Sequence, residues 1–270
     1  MPARLFLAAI ATSFVLATAA QADELRDLCP DRPGKGTATC TVDAGHFQIE
    51  SEVFSAAYQR RSGVTTDSYA VGTSVVKFGV TDNWDIEAIV APYAAVRTHT
   101  GNNGRTQSID GVGDFYLQTK VNILGNDDSA FTLAVNPWVK LPTARIGIGN
   151  GAVETALVVP MGYDLGDGWS LGSSPEIDVL KNAANSGRHL GIVDLVGVNR
   201  AIGGGVTLGA ELWGAANFDA TGTVRQYSFD LDAAWQPESD GNVQYDVGVN
   251  RGLNGNTPAW QAYIGITRRF

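Results

Sequence analysis

The segment from Trp260 to Phe270 alternates strictly, and such a period of two limits a chain to β-structure more firmly than any other pattern here. A β-strand turns successive side chains to opposite faces, so this segment would have one apolar and one polar face. The even positions are Trp260, Ala262, Ile264, Ile266, Arg268 and Phe270. An apolar band with an aromatic residue at each end is typical of a strand that crosses a membrane, although an ordinary sheet edge could also end in this way.

The same alternation recurs from Gly45 onward, without sustained helical periodicity. It predicts about twelve strands, each near the ~9–11 residues that cross a membrane when tilted. The expected strands are 46–58, 69–81, 84–97, 111–124, 130–142, 152–165, 169–180, 190–201, 205–217, 224–236, 243–251 and 259–270.

The connections between these segments alternate between short turns and longer polar loops. The longer ones are expected at 60–68, 98–110, 143–151, 181–189, 219–223 and 252–257. A membrane barrel with both termini in the periplasm has short turns on that side and long loops outside. The chain is therefore predicted to be an all-β, antiparallel transmembrane β-barrel of about twelve strands, with short periplasmic turns and longer extracellular loops.

The first 22 residues have the features of a secretory signal peptide: Arg4, an apolar stretch from Leu5, and the small-x-small pattern ending at Ala22. This predicts three parts: a signal peptide at 1–22, an N-terminal periplasmic segment at 23–44, and a barrel at 45–270. The expected location is the outer membrane of a Gram-negative bacterium. Phe270 resembles the C-terminal assembly signal of such barrels, so membrane lipid and the barrel assembly machinery are expected partners.

The two cysteines, Cys29 and Cys40, lie in a stretch rich in proline and glycine. An exported chain meets an oxidising compartment, so a disulfide is expected. Metal binding is the rival interpretation, but no histidine or third cysteine stands at ligand spacing, and no metal or cofactor is predicted. The net charge of −9 argues against nucleic acid as a partner.

The polar faces of the predicted strands carry many carboxylates and few bases. Charges on this face would line the lumen and make it tolerant of cations, unless ion pairs fill the interior instead. The predicted lumen-lining residues are Glu50, Glu52, Lys77, Asp85, Glu87, Asp114, Lys120, Lys140, Glu154, Glu176, Asp178, Glu211, Asp230, Asp232 and Asp246.

No catalytic residue is predicted. Outer-membrane lipases need a serine, a histidine and an orienting group within hydrogen-bond reach. The three histidines, His46, His99 and His189, lie at a strand start or in predicted loops, with no serine placed suitably on a strand. The sequence therefore favours a passive pore for small solutes. A non-conducting structural or surface-interaction barrel is the alternative, and a lipid-acting enzyme is a third.

Three motifs resemble a known family. The Cys-bounded segment 29–40 with 42–50 after it is similar to the start of the MetA-pathway phenol-degradation family of outer-membrane transporters. The strings Gly113–Lys120 and Pro137–Thr143 are similar to later motifs of that family. The resemblance spans most of the mature chain, and it implies a barrel that takes up small, often aromatic, compounds.

The segment before the first strand carries Arg32 and Lys35 between its two cysteines. Because the predicted lumen is acidic, opposite charges would draw this hairpin towards it. One hypothesis is that the Cys29–Cys40 loop docks at or inside the periplasmic mouth and restricts the pore. The other is a stapled tether that does not contact the lumen.

Overall fold

The computed structural model describes residues 25–101, 104–126, 129–184 and 186–270. The predicted signal peptide lies outside the described residues. The regular elements in these ranges are β-strands. The described residues contain no helix that is long and apolar enough to cross a membrane.

Sixteen strand segments form one antiparallel sheet. They are β1 (Phe47–Arg61), β2 (Val64–Thr81), β3 (Trp84–Val90), β4 (Tyr93–Thr100), β5 (Thr106–Gly111), β6 (Phe115–Leu124), β7 (Phe131–Leu141), β8 (Glu154–Val158), β9 (Met161–Gly166), β10 (Trp169–Ser173), β11 (Glu176–Lys181), β12 (Arg188–Gly203), β13 (Val206–Asp219), β14 (Gly222–Trp235), β15 (Val243–Gly252) and β16 (Trp260–Arg269). Four of the strands that cross the barrel wall are each interrupted once, so that each consists of two segments: β3 with β4, β5 with β6, β8 with β9, and β10 with β11. The segments thus make twelve crossings, as predicted.

The sheet closes on itself because β1 pairs with β2 on one side and with β16 on the other. Phe54 stands opposite Ile264, and Glu50 stands opposite Thr267. Every strand segment except β5, which pairs only with β4, is therefore paired on both sides. Backbone pairing on both sides is the requirement for a sheet within a membrane. The predicted fold class is confirmed.

The two faces of the barrel have opposite polarity. Large apolar side chains lie outside, with Leu212 60% exposed and Val196 57% exposed. Charged side chains lie inside, and Glu87 and Lys120 are fully buried. A water-soluble barrel would bury the apolar set, so this arrangement fits an apolar surrounding.

The two ends of the barrel also differ. The first and last strands meet at one end, where Phe47 and Phe270 exchange backbone hydrogen bonds of 3.2 and 2.7 Å. Turns such as 82–83, 167–168 and 204–205 share this end, which we call the terminal end. The opposite end, the loop end, carries the longer connection 142–153. Short turns mark the periplasmic side of such barrels, so the terminal end faces the periplasm.

Three stretches predicted as loops are largely strand. In 98–110, β4 continues to Thr100 and β5 begins at Thr106. β1 and β2 continue through most of 60–68 and are joined by Ser62 and Gly63, which have positive φ angles of 50° and 79°. Such a two-residue turn matches the twist of the flanking strands. Likewise β13 and β14 are joined only by residues 220–221. The polar sequence there reflects strands with hydrophilic side chains rather than irregular backbone.

Prolines stand at three of the four strand interruptions: Pro92, Pro160 and Pro175. Proline has no N–H to donate to the ladder, so each one ends a run of strand pairing. At Pro92 the alternation also changes phase. Alternation continued from Asp85 and Glu87 predicts that Tyr93 and Arg97 also point inside. Both are exposed on the outer face, so this part of the pattern-based prediction was wrong.

Candidate functional site

Residues 25–46, here called the N-terminal segment, lie inside the terminal half of the barrel. The segment contacts strands around the wall. The Thr37 N–H donates to Ser174 Oγ at 3.0 Å, Thr39 Oγ1 donates to Thr132 Oγ1 at 2.7 Å, and the Gly34 N–H donates to the Tyr263 hydroxyl at 2.8 Å. Leu28 and Val42 are buried. The segment contains no strand, as its proline and glycine content predicted.

Cys29 and Cys40 form a disulfide with their Cα atoms 6.3 Å apart, which confirms the predicted bond. The bond closes a loop that holds Asp31, Arg32 and Lys35. These three neighbouring charges reach three different parts of the wall, so the loop presents a compact charged tip.

Asp31 bridges two buried lysines. Its carboxylate oxygens lie 2.5 Å from Lys77 Nζ and 2.7 Å from Lys120 Nζ. Burial raises the pKa of the Asp31 carboxyl, but the ammonium groups of Lys120 and Lys77 outweigh burial and hold that pKa well below its ordinary value. On the wall, Lys77 also pairs with Glu50, and Lys120 lies 3.4 Å from Glu87.

Arg32 forms a forked contact with Asp246. Its Nη2 lies 2.7 Å from Oδ1, and its Nε lies 3.2 Å from Oδ2. The guanidinium also lies over the Tyr263 ring, 5.3 Å from its centroid, and Glu52 is 4.0 Å away. Two parallel charged hydrogen bonds fix orientation as well as distance, so Arg32 is held in one direction.

Lys35 contacts a third part of the wall. Its Nζ lies 2.9 Å from Asp230 and 2.6 Å from Ser228 Oγ. The same ammonium lies 4.6 Å from the centroid of the Trp213 ring, and the Lys35 N–H donates to Glu211 at 2.9 Å. The tip is therefore held by charge, by a cation–π contact and by its backbone.

Another charged cluster lies nearer the loop end. Lys140 Nζ is 2.5 Å from Glu154 and 3.5 Å from Asp114, and Asn150 Oδ1 accepts a 2.7 Å hydrogen bond from it. Asn150 belongs to the connection 142–153, so this loop is tied to the inner wall. Glu176 accepts a 2.8 Å bond from Trp138 Nε1, and Asp178 is buried on the same strand.

The sequence-predicted residues thus fall into separate groups. Fourteen of the fifteen have polar partners on the wall or on the N-terminal segment, or are buried. Asp232 differs: among the residues that the structure describes, it has no hydrogen-bond or ion-pair partner, and it lines a cavity. Sequence reasoning missed Asp31, Trp213 and Tyr263. Alternation placed Tyr263 on the polar, inward face of its strand, so its inward direction was predictable. No feature of the sequence distinguished Asp31 or Trp213.

Three cavities follow one another along the inner faces of β13 and β14. A cavity of about 470 Å³ at the loop end is lined by Asn217 and Val224. The next, of about 100 Å³, lies against Trp213 and Gln226. The third, of about 670 Å³, reaches the terminal end past Thr207. The ammonium of Lys35, over the Trp213 ring, borders the middle cavity, and the residue following it lines the large one.

The histidines show no catalytic arrangement in the described ranges. His189 contacts the side-chain oxygens of Asn182 and Asn217 at 2.9 and 2.6 Å, and it lies 3.3 Å from Asp219. His99 contacts Thr106, and His46 contacts a backbone carbonyl. No serine hydroxyl is hydrogen-bonded to any of these rings within the part of the chain that the structure describes, and no group of three potential metal ligands occurs there.

A closed antiparallel barrel with an apolar exterior, a charged interior and a segment docked in its lumen defines an outer-membrane β-barrel. The chain belongs to the family described as "Putative MetA-pathway of phenol degradation", whose model matches residues 30–270. The resemblance seen in the sequence is thereby confirmed. A comparison with curated proteins returned no match.

Solved structures share the fold at low sequence identity. An outer membrane channel from Pseudomonas putida F1 is similar with a TM-score of 0.68 and 14% identity, over 88% of this chain and 99% of that chain. The NanC porin is similar with a TM-score of 0.51 and 10% identity, over 82% of this chain and 98% of its own. The translocator domain of the autotransporter NalP from Neisseria meningitidis is similar with a TM-score of 0.50 and 14% identity, over 89% of this chain and 91% of that chain. At these identities the likeness establishes the barrel.

Proposed function

We propose that the protein is a passive pore for small solutes whose lumen is narrowed by the N-terminal segment. The observation that carries this proposal is the series of three cavities along β13 and β14, from the loop end to the terminal end. The family description names phenol degradation, which is consistent with small aromatic or hydrophobic compounds among the solutes.

The N-terminal segment would determine where the pore runs. The contacts of Asp31 fill the side of the lumen formed by β1, β2, β3 and β6, where Lys77, Lys120 and Glu87 are completely enclosed. Arg32 and Lys35 reach β15 and β14 instead. The large cavity lies on the other side of the segment, against β9 to β14. The path therefore follows β13 and β14 from the loop end, with its narrow point at Lys35 and Trp213, and widens into the large cavity between the segment and β9 to β14.

Single-channel recording in planar bilayers tests the proposal. We expect discrete conductance steps in KCl from protein that migrates faster on gels before boiling than after, which shows an assembled barrel. Assembled barrel without conductance at any salt concentration would contradict the pore and favour the non-conducting alternative, for which the dense ion pairing of Lys77 and Lys120 is an argument. We propose no catalytic role, because the histidine surroundings described above supply no activated nucleophile.

Ion selectivity should depend on the carboxylates that border the open path. Replacing Asp232 with Asn together with Glu211 with Gln should lower the cation-to-anion permeability ratio by about twofold or more at low salt, and by less at high salt because ions screen the charges. Reversal potentials in KCl gradients measure this ratio.

Glu87→Gln is the matched control for that experiment. Glu87 has the same polarity and the same inward direction, but it is fully buried beside Lys120 and Gln118. We expect its neutralisation to leave the ratio near that of the parent. An equal effect of the control and the double variant would contradict the proposed path.

A further inference from the structure

The wall beside Lys35 is formed by two neighbouring rows of inward-facing residues. In one row, Asp230 of β14 stands opposite Asn250 of β15. In the other row, one step nearer the loop end, Trp213 of β13 stands opposite Ser228 of β14. We call these four wall residues the Trp213 cluster. Because each of them lies on a paired strand of the closed sheet, the strand register fixes their relative positions.

Lys35 places a primary ammonium group against this cluster. Its Nζ lies 2.9 Å from Asp230, 2.6 Å from Ser228 Oγ and 4.6 Å from the centroid of the Trp213 ring. An ammonium group has three N–H donors and no acceptor, so a carboxylate, a hydroxyl and an aromatic face are matching partners. The Lys35 side chain is 24% exposed, whereas that of Asp230 is 1% exposed. The ammonium is therefore the partner that can move, and the cluster is part of the fixed wall.

The cluster also contains acceptor atoms that Lys35 does not use. Among the residues that the structure describes, Asp230 Oδ1 and Asn250 Oδ1 have no hydrogen-bond partner, although the two residues are only 1% and 4% exposed. Asn250 lines the middle cavity of about 100 Å³ together with Trp213 and Ser228. A buried oxygen without a donor is unfavourable, and a bound group with N–H donors would satisfy it. The cluster thus has more acceptors than the Lys35 ammonium satisfies.

We infer that the Trp213 cluster is a binding site for small primary ammonium cations, in which Lys35 acts as a tethered competitor. A free alkylammonium has the same charge and the same three donors as the Lys35 side chain, so it can take the place of that ammonium beside Trp213. The middle cavity, of about 100 Å³, limits the size of the cation.

The tether determines how tightly such a cation is held. The loop closed by Cys29 and Cys40 keeps the Lys35 ammonium close to the cluster, and an intramolecular ligand competes at a high effective concentration. Lys35 therefore lowers the affinity for a free amine, and weak binding allows a solute to leave as well as to enter. This inference rests on the proposed pore for the passage of the cation, and it names a solute class that the narrow point would select.

Calorimetric titration of detergent-solubilised Lys35→Ala protein tests the site without depending on conductance. The substitution removes the atoms from Cγ to Nζ, and n-propylammonium chloride supplies the same atoms in free form. In amine-free buffer at constant ionic strength, we expect n-propylammonium to bind the variant about tenfold more tightly than the parent, because the tethered competitor is gone. Tetramethylammonium has the same charge but no N–H donor, so it should bind the variant more weakly than n-propylammonium.

Lys181→Ala is the matched control, because it removes the same atoms from a lysine at the loop end, where the ammonium donates to the carbonyl of Asn150 at 3.1 Å. It should bind n-propylammonium like the parent. Adding Trp213→Leu to Lys35→Ala should weaken binding by about fivefold, since the cation–π contact is lost. Gel migration before boiling shows that each variant is assembled. Should Lys35→Ala assemble poorly alone, n-propylammonium should restore the fast-migrating band and tetramethylammonium should not.

The inference is overturned if Lys35→Ala binds n-propylammonium no more tightly than the parent, if tetramethylammonium binds equally well, or if loss of the Trp213 ring changes nothing. Failure of Lys35→Ala to assemble with either cation would also overturn it, because the cluster would then accept an ammonium only as part of the chain. Tight n-propylammonium binding without conductance would refute the pore and leave the site standing, whereas conductance without such binding would do the reverse.

Discussion

Deleting residues 23–41 should raise the single-channel conductance by about twofold or more, because the open lumen of a twelve-stranded barrel is wider than a filled one. The deletion removes Asp31, Arg32 and Lys35 together with the backbone that crosses the lumen. Larger solutes should also pass, since the narrow point at Trp213 loses Lys35. Conductance and solute-size limits of parent and truncated barrels, reconstituted side by side, measure both effects.

A charge reversal distinguishes the effect of undocking the segment from the effect of deleting it. Arg32→Glu with Lys35→Glu keeps the disulfide and the full length, but it places carboxylates against Asp246 and Asp230. We expect an intermediate conductance. Arg61→Glu, at the exposed tip of β1, is the control and should conduct like the parent. If the truncated and doubly reversed barrels also conduct like the parent, the segment is a tether and does not restrict the pore.

Replacing Lys120 with Met should destabilise the folded barrel by about 3–5 kcal/mol, the usual cost of removing one partner from a buried ionic cluster. Lys120 is fully buried between Asp31 and Glu87, and Asp85 lies in the same cluster. Without its ammonium these carboxylates would share the single charge of Lys77. The midpoint of heat- or denaturant-induced loss of the fast-migrating band measures the change.

Lys181→Met provides the comparison. Lys181 lies at the loop end, where its ammonium donates to the carbonyl of Asn150 at 3.1 Å. Removing such a peripheral contact should cost less than about 1 kcal/mol. Equal midpoints for the two variants would show that the Lys120 cluster contributes no more stability than a surface contact.

The architecture was predictable because alternation reports the face of each residue directly. Trp260 to Phe270 follows the predicted phase throughout: Tyr263 and Thr267 are buried, and Trp260 and Ile264 are exposed. The phase failed where Pro92 interrupts pairing, since a break allows the next strand to restart on the other face. Alternation contains no information about the length of such a break.

The site was less predictable, because alternation tells which face of the wall a residue lies on but not which residues lie next to it. The acidic lumen pointed to Arg32 and Lys35 as the docking charges, and both contact carboxylates. Asp31 could not be foreseen in the same way. It binds Lys77 and Lys120, a local pair of cations in a wall that is acidic on average. For the same reason, the sequence could not tell the enclosed Glu87 from the cavity-lining Asp232, since their difference depends on strand register and on where the segment lies.

The docked segment also has a consequence for the order of assembly. Its cysteines are 11 residues apart, so their loop can close as soon as the segment leaves the export machinery. Arg32 lies 214 residues from Asp246, and the Asp43 carboxylate is bound by Arg269 at the other end of the chain. Contacts between such distant parts of a chain form late, because the intervening chain must be ordered first. We therefore expect the N-terminal segment to reach its final position after β16 has joined β1, so that a docked segment marks a barrel that has finished closing.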